Sequence, residues 1–374
     1  MRIAFFTETF LPATDGVVTR LRNTIEELAR IGDDMLVVAP RYPDGGPDSY
    51  AGAPIYRVPG VPFPPYPRIK LSFAHPGVGR ILRRFGPDLI HAVNPFILGP
   101  GGIYYARRLG VPLVASYHTN VAAYARYYNL ELGFEAGRWW TKQLHNRAEI
   151  NLCTSEASMN YLLREGVKRI RLWPQGVDAS RFHPKKASEE WRERLSGGHP
   201  EDNLLLYVGR LAPEKGIERL EAILREVPGT RLAIAGDGPA RGDLERDFKG
   251  TPAVFTGVLQ GEDLASAYAS ADAFLFPSTT DTLGLAMLEA LASGLPVVAA
   301  RGGGSHEIVS EGENGLLYEA NFTPSLVDAV RRLFSEDGFR PALARRARAT
   351  AEGRDWRSST RALHGYYEQA LGRL

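Results

Sequence analysis

Short apolar runs alternate with segments of helical period along the whole chain, and that alternation predicts most of the architecture. Residues 3–6 form an apolar run of strand length, followed by a polar stretch, 8–16, that contains Pro12 and Asp15-Gly16. Val18, Leu21, Ile25, Leu28 and Ile31 then recur at helical spacing, Gly32 ends the helix, and residues 35–39 make the next strand. A strand–loop–helix–strand unit implies parallel strands joined by a right-handed crossover. Residues 89–93 and 113–117 continue the strand series, and residues 170–177 form a strand ending in Pro and Gly. The segment 178–202 is polar, charged and broken, so the domain boundary is placed here. A second series follows, with strands at 204–208, 232–235, 253–255, 273–276 and 297–299 and helical patterns between them. The predicted fold is α/β: two Rossmann-like, doubly wound parallel-sheet domains facing a central cleft, residues 1–174 and 175–355. Residues 40–79 stand apart. Their Pro, Gly and Tyr content, densest at 61–67, excludes a central strand or a helix and predicts an irregular functional loop.

Composition narrows the classes. A chain of 374 residues suits two domains, and a net charge of +2 gives no electrostatic case for nucleic acid. Its basic residues are mostly Arg, which favours carboxylate, phosphate or sulfonate pairing. Cys153 is the single cysteine, so no internal disulfide forms and a reducing compartment fits. The apolar start is too short for a signal peptide, and no run approaches a membrane span, so membrane contact is expected to be peripheral. Residues 121–147 interleave Tyr124, Tyr127, Tyr128, Trp139 and Trp140 with Arg126, Arg138, Lys142 and Arg147. Two readings fit: a membrane interface, or aromatics turned to the core with the basic residues in water.

The chemistry concentrates in loops at strand ends. Between the strand 273–276 and an apolar helix through Leu285, Met287, Leu288 and Leu291 lies a Ser/Thr/Asp/Gly loop, 277–284. A helix start offers unpaired N–H groups and a positive dipole end, which suit phosphate. Asp281 stands in the loop and Glu289 in the helix. One carboxylate can meet a sugar hydroxyl and the other a ribose, with a diphosphate between them. The plainer reading is that Asp281 and Thr282 cap the helix and Glu289 is solvated. Gly209 and Arg210 follow the strand 204–208, with Lys215 before the next helix, and two cations near one helix start suit a diphosphate. Asp237 lies in a Gly-Asp-Gly-Pro turn that either admits a ligand or is a bare turn. Val258 follows the third strand, where exposed backbone can pair with a base edge, and 302–304 is another glycine loop. In the first half, Gly16 precedes a helix, as a phosphate contact or a plain turn, and His118 follows the strand 113–117, as a ligand or a structural histidine.

Taken together these residues resemble a retaining family 4 glycosyltransferase of the glycosyltransferase-B type, over nearly the whole chain. The family's paired acids correspond to Asp281-x7-Glu289, its Arg-x4-Lys to Arg210 and Lys215, its glycine loop to Asp15-Gly16-Val17, and its histidine to His118. Within the family the likeness is to sulfoquinovosyltransferases, on residues 32–39, 116–119, 170–178, 255–262 and 355–357. Those enzymes commonly carry Glu where Asp281 stands, whereas related lipid mannosyl- and glucosyltransferases often carry Asp.

The resemblance implies a nucleotide sugar as donor and a lipid as acceptor, with UDP-sulfoquinovose and diacylglycerol first. GDP-mannose- or UDP-glucose-dependent lipid glycosyl transfer is the alternative, and a nucleotide-sugar epimerase a more distant one. It implies that Arg210 and Lys215 hold the diphosphate and that Thr282, Leu283, Gly284 and Leu285 surround it. Glu289 would bind the ribose, Val258 the base, and Asp281 and His118 the sugar. Gly16, Val17, Gly209 and Asp237 complete the donor contacts. The implied reaction uses neither metal nor cofactor. A C-terminal helix, 356–374, is expected to cross back onto the first domain, and the expected location is cytoplasmic, peripheral to the inner face of a membrane.

Overall fold

Phe5 pairs with Val37 on one side and His91 on the other, which puts the first strand in the middle of its sheet. In the computed structural model, which describes residues 1–43, 45–63, 66–118, 131–281 and 284–373, the chain forms two units. One is Met1–Gln175 with Trp356–Leu374, the other Gly176–Asp355.

The strands of the first unit are β1 (Arg2–Thr7), β2 (Asp34–Pro40), β3 (Ser49–Tyr50), β4 (Ala53–Val58), β5 (Gly60–Phe63), β6 (Tyr66–Ser72), β7 (Leu89–Val93), β8 (Leu113–Tyr117), β9 (Ile150–Cys153) and β10 (Ile170–Leu172). They form an eight-stranded sheet in the order β10-β9-β8-β7-β1-β2-β4-β3, parallel except for β3 against β4, and a separate antiparallel hairpin of β5 and β6. Both faces of the sheet are covered, so its inner strands are continuous apolar runs. Ile90 and Ala92 pack with Val78 and Leu82 of the helix Pro76–Phe85 and with Ile103 and Ala106 of the helix Gly99–Leu109. His91, between them in sequence, points to the opposite face, onto Tyr367 of the helix Trp356–Ala370.

Asp15 caps the first helix, Gly16–Arg30, by accepting from Val18 N at 2.9 Å. The helix ends at Arg30, so Ile31 falls outside the buried stripe and is 56% exposed. Residues 40–79 correct the expectation of an irregular loop. β4 lies inside the sheet, pairing with β2 from Val37↔Ile55 to Pro40↔Val58. Pro54 precedes the first of these rungs, so its missing N–H removes no bond from that ladder. Pro76 opens a helix at its first position, where an N–H would have no partner, and His75 caps that helix by accepting from Gly77 N. Proline content identified these residues as breakers without showing that they stand where a donor is not needed.

The second unit holds β11 (Asn203–Val208), β12 (Thr230–Ala235), β13 (Ala253–Gly257), β14 (Ala273–Phe276), β15 (Val297–Ala300) and β16 (Gly315–Tyr318), in the order β13-β12-β11-β14-β15-β16, all parallel. Leu204, Leu206, Phe274 and Phe276 face a cluster containing Met287, Leu288 and Leu291. Leu205, Tyr207 and Leu275 face the other side, with Leu326, Val330 and Leu333. This alternation between two buried faces explains why no strand here shows a polar side.

Candidate active site

In an open parallel sheet, ligands bind outside the strand carboxyl ends where the strand order reverses. In the second unit that point lies between β11 and β14. The loops leaving these two strands carry Arg210 and Lys215 on one side and Asp281 on the other. They meet: Lys215 Nζ lies 2.5 Å from Asp281 Oδ1, with Lys215 largely buried. Arg210 is paired with the buried Glu214, and Tyr207 Oη donates to the Arg210 carbonyl at 3.1 Å, so the loop is held from below. Each cation is therefore matched by one carboxylate. Lys215 ends a short 3-10 turn, Pro213–Lys215, that Gly216 closes in the left-handed region at φ +67°.

Glu289 is half-buried in the helix Leu285–Ala292 and accepts from Tyr268 Oη at 3.1 Å. Burial pushes its carboxyl up to about 7, against the hydrogen bond from Tyr268 and the charge of Arg181. The plainer reading of a solvated Glu289 does not hold. The same helix begins after Gly284, which has φ +57°, and a Cβ there would stand 2.6 Å from Ile308 Cδ1. Leu285 is buried at its first position. Thr282 and Leu283 lie outside the described residues.

The glycines in the neighbouring turns have a packing cause. A Cβ on Gly236 would come within 1.9 Å of the Gly209 carbonyl oxygen, and one on Gly303 within 2.8 Å of the Asp281 carbonyl oxygen. These loops press on the Gly209–Arg210 and Asp281 segments and fix their paths. Asp237, between Gly236 and Gly238, lies 3.9 Å from Arg241 Nη1. Val258 is 53% exposed after β13, two strands from the reversal between β11 and β14. It is thus brought to the same sheet end as Lys215 and Asp281 but not into contact with them.

The first unit reverses between β7 and β1. There Glu8, just after β1, accepts from the backbone N–H groups of Phe96, Ile97, Leu98 and Gly99 at 2.8–3.0 Å. The carboxylate sits on the start of the helix Gly99–Leu109 and ties the two loops together. Gly16 and Val17 form the first turn of the helix Gly16–Arg30, and among the described residues their N–H groups have no acceptor. His118, one residue past β8, is 2% exposed; its Nε2 is 2.8 Å from Ser116 Oγ, and its backbone N–H donates to Asn94 Oδ1. Sequence reasoning missed Glu8, Glu214, Tyr268 and Ser116. Glu214, Tyr268 and Ser116 each touch a site residue, and Glu8 ties two loops of the first unit, through side-chain contacts that hydrophobic periodicity does not encode.

Two doubly wound units, each with polar groups and a helix start at its reversal point, are the architecture of the glycosyltransferase-B class. Residues 14–181 match the Glycosyltransferase Family 4 profile, and residues 202–336 match that of Glycosyl transferases group 1. The chain is 39% identical over 367 residues to a sulfoquinovosyl transferase of Arabidopsis thaliana, covering 96% of this chain and 72% of that one. It is 38% identical over 378 residues to a GDP-mannose-dependent alpha-mannosyltransferase of Mycolicibacterium smegmatis, covering 100% and 98%. Sucrose-phosphate synthase from Thermosynechococcus elongatus shares the fold, with a TM-score of 0.85 and 22% identity over the whole of both chains. The chain belongs to the family 4 glycosyltransferases and is a retaining glycosyltransferase.

Proposed function

We propose that the protein transfers sulfoquinovose from UDP-sulfoquinovose to diacylglycerol at an anionic membrane surface. The observation that carries the reading is the meeting of Lys215 and Asp281 at the reversal point of the second sheet. It sets a cation for a diphosphate beside a carboxylate for a sugar hydroxyl. The sulfonated sugar is supported by the likeness to the sulfoquinovosyl transferase, and the Arg-rich composition supplies partners for a sulfonate. In this scheme Arg210 and Lys215 stabilise charge that grows on the leaving diphosphate. The N–H groups at the starts of the helices Gly16–Arg30 and Leu285–Ala292 assist them. Glu289 accepts from the ribose hydroxyls, Val258 meets the base, and Asp281 and His118 hold the sugar. The acceptor hydroxyl attacks the anomeric carbon from the face the diphosphate leaves, and a phosphate oxygen takes its proton. Retention follows with no protein nucleophile. Incubation with UDP-sulfoquinovose and dispersed diacylglycerol is expected to yield the α-linked sulfolipid; no sulfolipid, or a β linkage, contradicts the reading.

Asp281 favours a second reading. It is one methylene shorter than Glu, and GDP-mannose is the donor of a relative that is similar over the whole chain. A single hydrogen-bond change at a sugar can redirect the choice of donor, because a buried polar group left unpaired is costly.

Arg210 and Lys215 can take the place of a divalent ion. Among the described residues, His199, Glu201 and Asp202 bring potential metal-ligand atoms within 4.8 Å of one another, but they precede β11, at the opposite end of its strand from Arg210. Activity is expected to survive exhaustive dialysis and excess chelator. Loss of activity with rescue by Mg²⁺ or Mn²⁺ would refute metal independence.

Among the described residues no helix is long and apolar enough to cross a membrane. The reading therefore needs a docking face, and the helices Pro76–Phe85 and Gly99–Leu109 supply one. They cover one sheet face side by side and carry Arg80, Arg83, Arg84, Arg107 and Arg108 with no acidic residue on either. Arg80, Arg83 and Arg84 are exposed and make no ion pair among the described residues, and Phe73 and Tyr104 are exposed beside them. The segment 121–147 is a weaker candidate than its sequence suggests. Residues 119–130, with Arg126, lie outside the described residues; Arg138 is paired with Glu135 and Glu165, and Trp140 donates to the Phe96 carbonyl. Each exposed Arg near an anionic leaflet contributes about 1 kcal/mol. Replacing Arg80, Arg83 and Arg84 by Gln should therefore weaken binding to anionic liposomes roughly 100-fold, and salt should weaken binding of the unaltered protein. Binding unchanged by both treatments would remove this face from the account.

A further inference from the structure

We propose that Asn94, in a loop that Glu8 holds, is a positioning residue that pins the backbone of His118. The observation is a strand ladder completed by a side chain. β7 and β8 pair in parallel from Ile90↔Leu113 to Val93↔Ser116. At one end of this ladder the Ile90 N–H donates to the Pro112 carbonyl, and at the other the Asn94 N–H donates to the Ser116 carbonyl at 2.7 Å. In a parallel ladder the carbonyl of such a donor accepts from the residue two positions further along the partner strand. The next donor is therefore the His118 N–H, and the acceptor due is the Asn94 main-chain carbonyl. The bond goes instead to Asn94 Oδ1, at 3.1 Å. A backbone N–H needs an oxygen as its acceptor, so this bond also fixes which way the Asn94 amide faces.

The backbone explains the exchange. Asn94 has φ +50°, a left-handed conformation that Gly, Asn and Asp adopt far more readily than other residues. It also precedes Pro95, which restricts it further. The main chain leaves β7 here toward the helix Gly99–Leu109, and the side chain takes the bond that the main chain gives up. Such a conformation persists where its surroundings over-determine it, and the rest of the loop does so. Glu8 Oε1 accepts from the N–H groups of Phe96, Ile97, Leu98 and Gly99 at 2.8–3.0 Å. Trp140 Nε1 donates to the Phe96 carbonyl at 2.8 Å. A Cβ on Gly99 would stand 2.3 Å from Pro95 Cβ, so Pro95 lies directly against Gly99.

Placement gives the arrangement its use. Glu8 follows β1 and Asn94 follows β7, the two strands between which the order of the first sheet reverses. His118 is the first residue past β8. Its N–H bond to Asn94 fixes where the chain leaves that strand, and with it the point from which the imidazole projects. Asn94 and Glu8 thus act on the reaction through His118. The catalytic consequence rests on the reading of His118 as a sugar-binding residue; the pinning itself does not.

Amide hydrogen exchange on the full chain, labelled with ¹⁵N-histidine, reads the pinning, with the His118 signal assigned by its loss in His118→Ala. The His91 amide, inside β7, is the reference, because a general loss of stability speeds both. Asn94→Gly keeps the left-handed backbone and removes the acceptor. It is expected to speed exchange at His118 roughly tenfold relative to His91. Asn94→Asp keeps both the backbone preference and the oxygen, so it should restore the wild-type ratio. Glu8→Gln removes the charge that the loop N–H groups share and puts an amide nitrogen at one of the two oxygen positions, so it should raise the ratio as well. An unchanged ratio in Asn94→Gly, or an Asn94→Asp protein that exchanges like it, overturns the pinning; an unchanged ratio in Glu8→Gln removes Glu8 from it. Steady-state kinetics read the consequence, with whichever of UDP-sulfoquinovose, UDP-glucose, UDP-galactose and GDP-mannose the wild type turns over best. Asn94→Gly should lower kcat roughly 3–10-fold with UDP affinity unchanged. Combined with His118→Ala, it should cost no more than His118→Ala alone. Additive losses overturn the action of Asn94 through His118. A raised exchange ratio beside wild-type kinetics in His118→Ala supports the pinning and overturns the sugar-binding role of His118.

Discussion

A Lys215→Ala protein is expected to lose roughly 10²–10³-fold in kcat/KM, with much of the loss in kcat. Two effects combine. The ammonium that meets the leaving diphosphate is gone, and that contact strengthens as negative charge moves onto the phosphate. Asp281, which Lys215 holds at 2.5 Å, is also released and no longer presents its carboxylate in one orientation. Lys215→Arg keeps the charge but not the compact point contact, so only part of the activity should return. Arg210→Ala should cost a similar factor, with a difference in stability. It strands the buried Glu214, so its thermal midpoint should fall as well. Steady-state kinetics on folded protein check both, and near-wild-type values in both variants would remove these cations from the site.

Glu289→Gln is expected to exchange binding for stability. The carboxyl is pushed by burial from 4.5 up to about 7 in the folded chain. A raised carboxyl contributes stability that is fully present below the unfolded value, about 4.5, and is lost as pH rises through about 7. The empty wild-type protein should therefore lose stability across that window, and Glu289→Gln should not. The two should melt alike near pH 4, and the variant should melt a few degrees higher at pH 8, roughly 2–4 °C per kcal/mol for a unit of this size. Nucleotide binding should move the other way. Ribose hydroxyls donate to the ionised form, so wild-type affinity for UDP should rise with pH through about 7. The variant should bind roughly 10–100-fold more weakly at pH 8, since hydrogen bonds to a charged group contribute about 1.5–3 kcal/mol, and should show little pH dependence. Thermal melts at pH 4 and pH 8 read the first effect, and calorimetric titration with UDP between pH 6 and 8 reads the second. Wild-type affinity in the variant, with the same pH profile, would detach Glu289 from the ribose.

How much of this was legible in the sequence depends on the range of each interaction. The inner strands were legible because burial on two faces makes them apolar without interruption, as at 204–208 and 297–300. Arg210, Lys215 and Asp281 were legible as loop residues after strands. Their contact was not, because it spans 66 residues and depends on β11 lying beside β14, which periodicity does not contain. Glu8 reaches the N–H groups of 96–99 across about 90 residues and left no local signal. His91 read as part of an apolar strand, and only the packing of the last helix against β7 reveals its bond to Tyr367. Proline misled in the opposite direction, since Pro54 and Pro76 occupy positions that lose no hydrogen bond by lacking a donor.

The central claim is the donor, and it is tested most directly by one comparison. Under identical conditions, with the same diacylglycerol dispersion, kcat/KM is measured for UDP-sulfoquinovose, UDP-glucose, UDP-galactose and GDP-mannose. The account predicts that UDP-sulfoquinovose exceeds each neutral sugar by at least about tenfold, or about 1.4 kcal/mol of transition-state preference. A neutral sugar that wins by the same margin, GDP-mannose above all, would contradict the sulfoquinovosyl assignment and show that the shorter Asp281 carboxylate belongs to a different sugar.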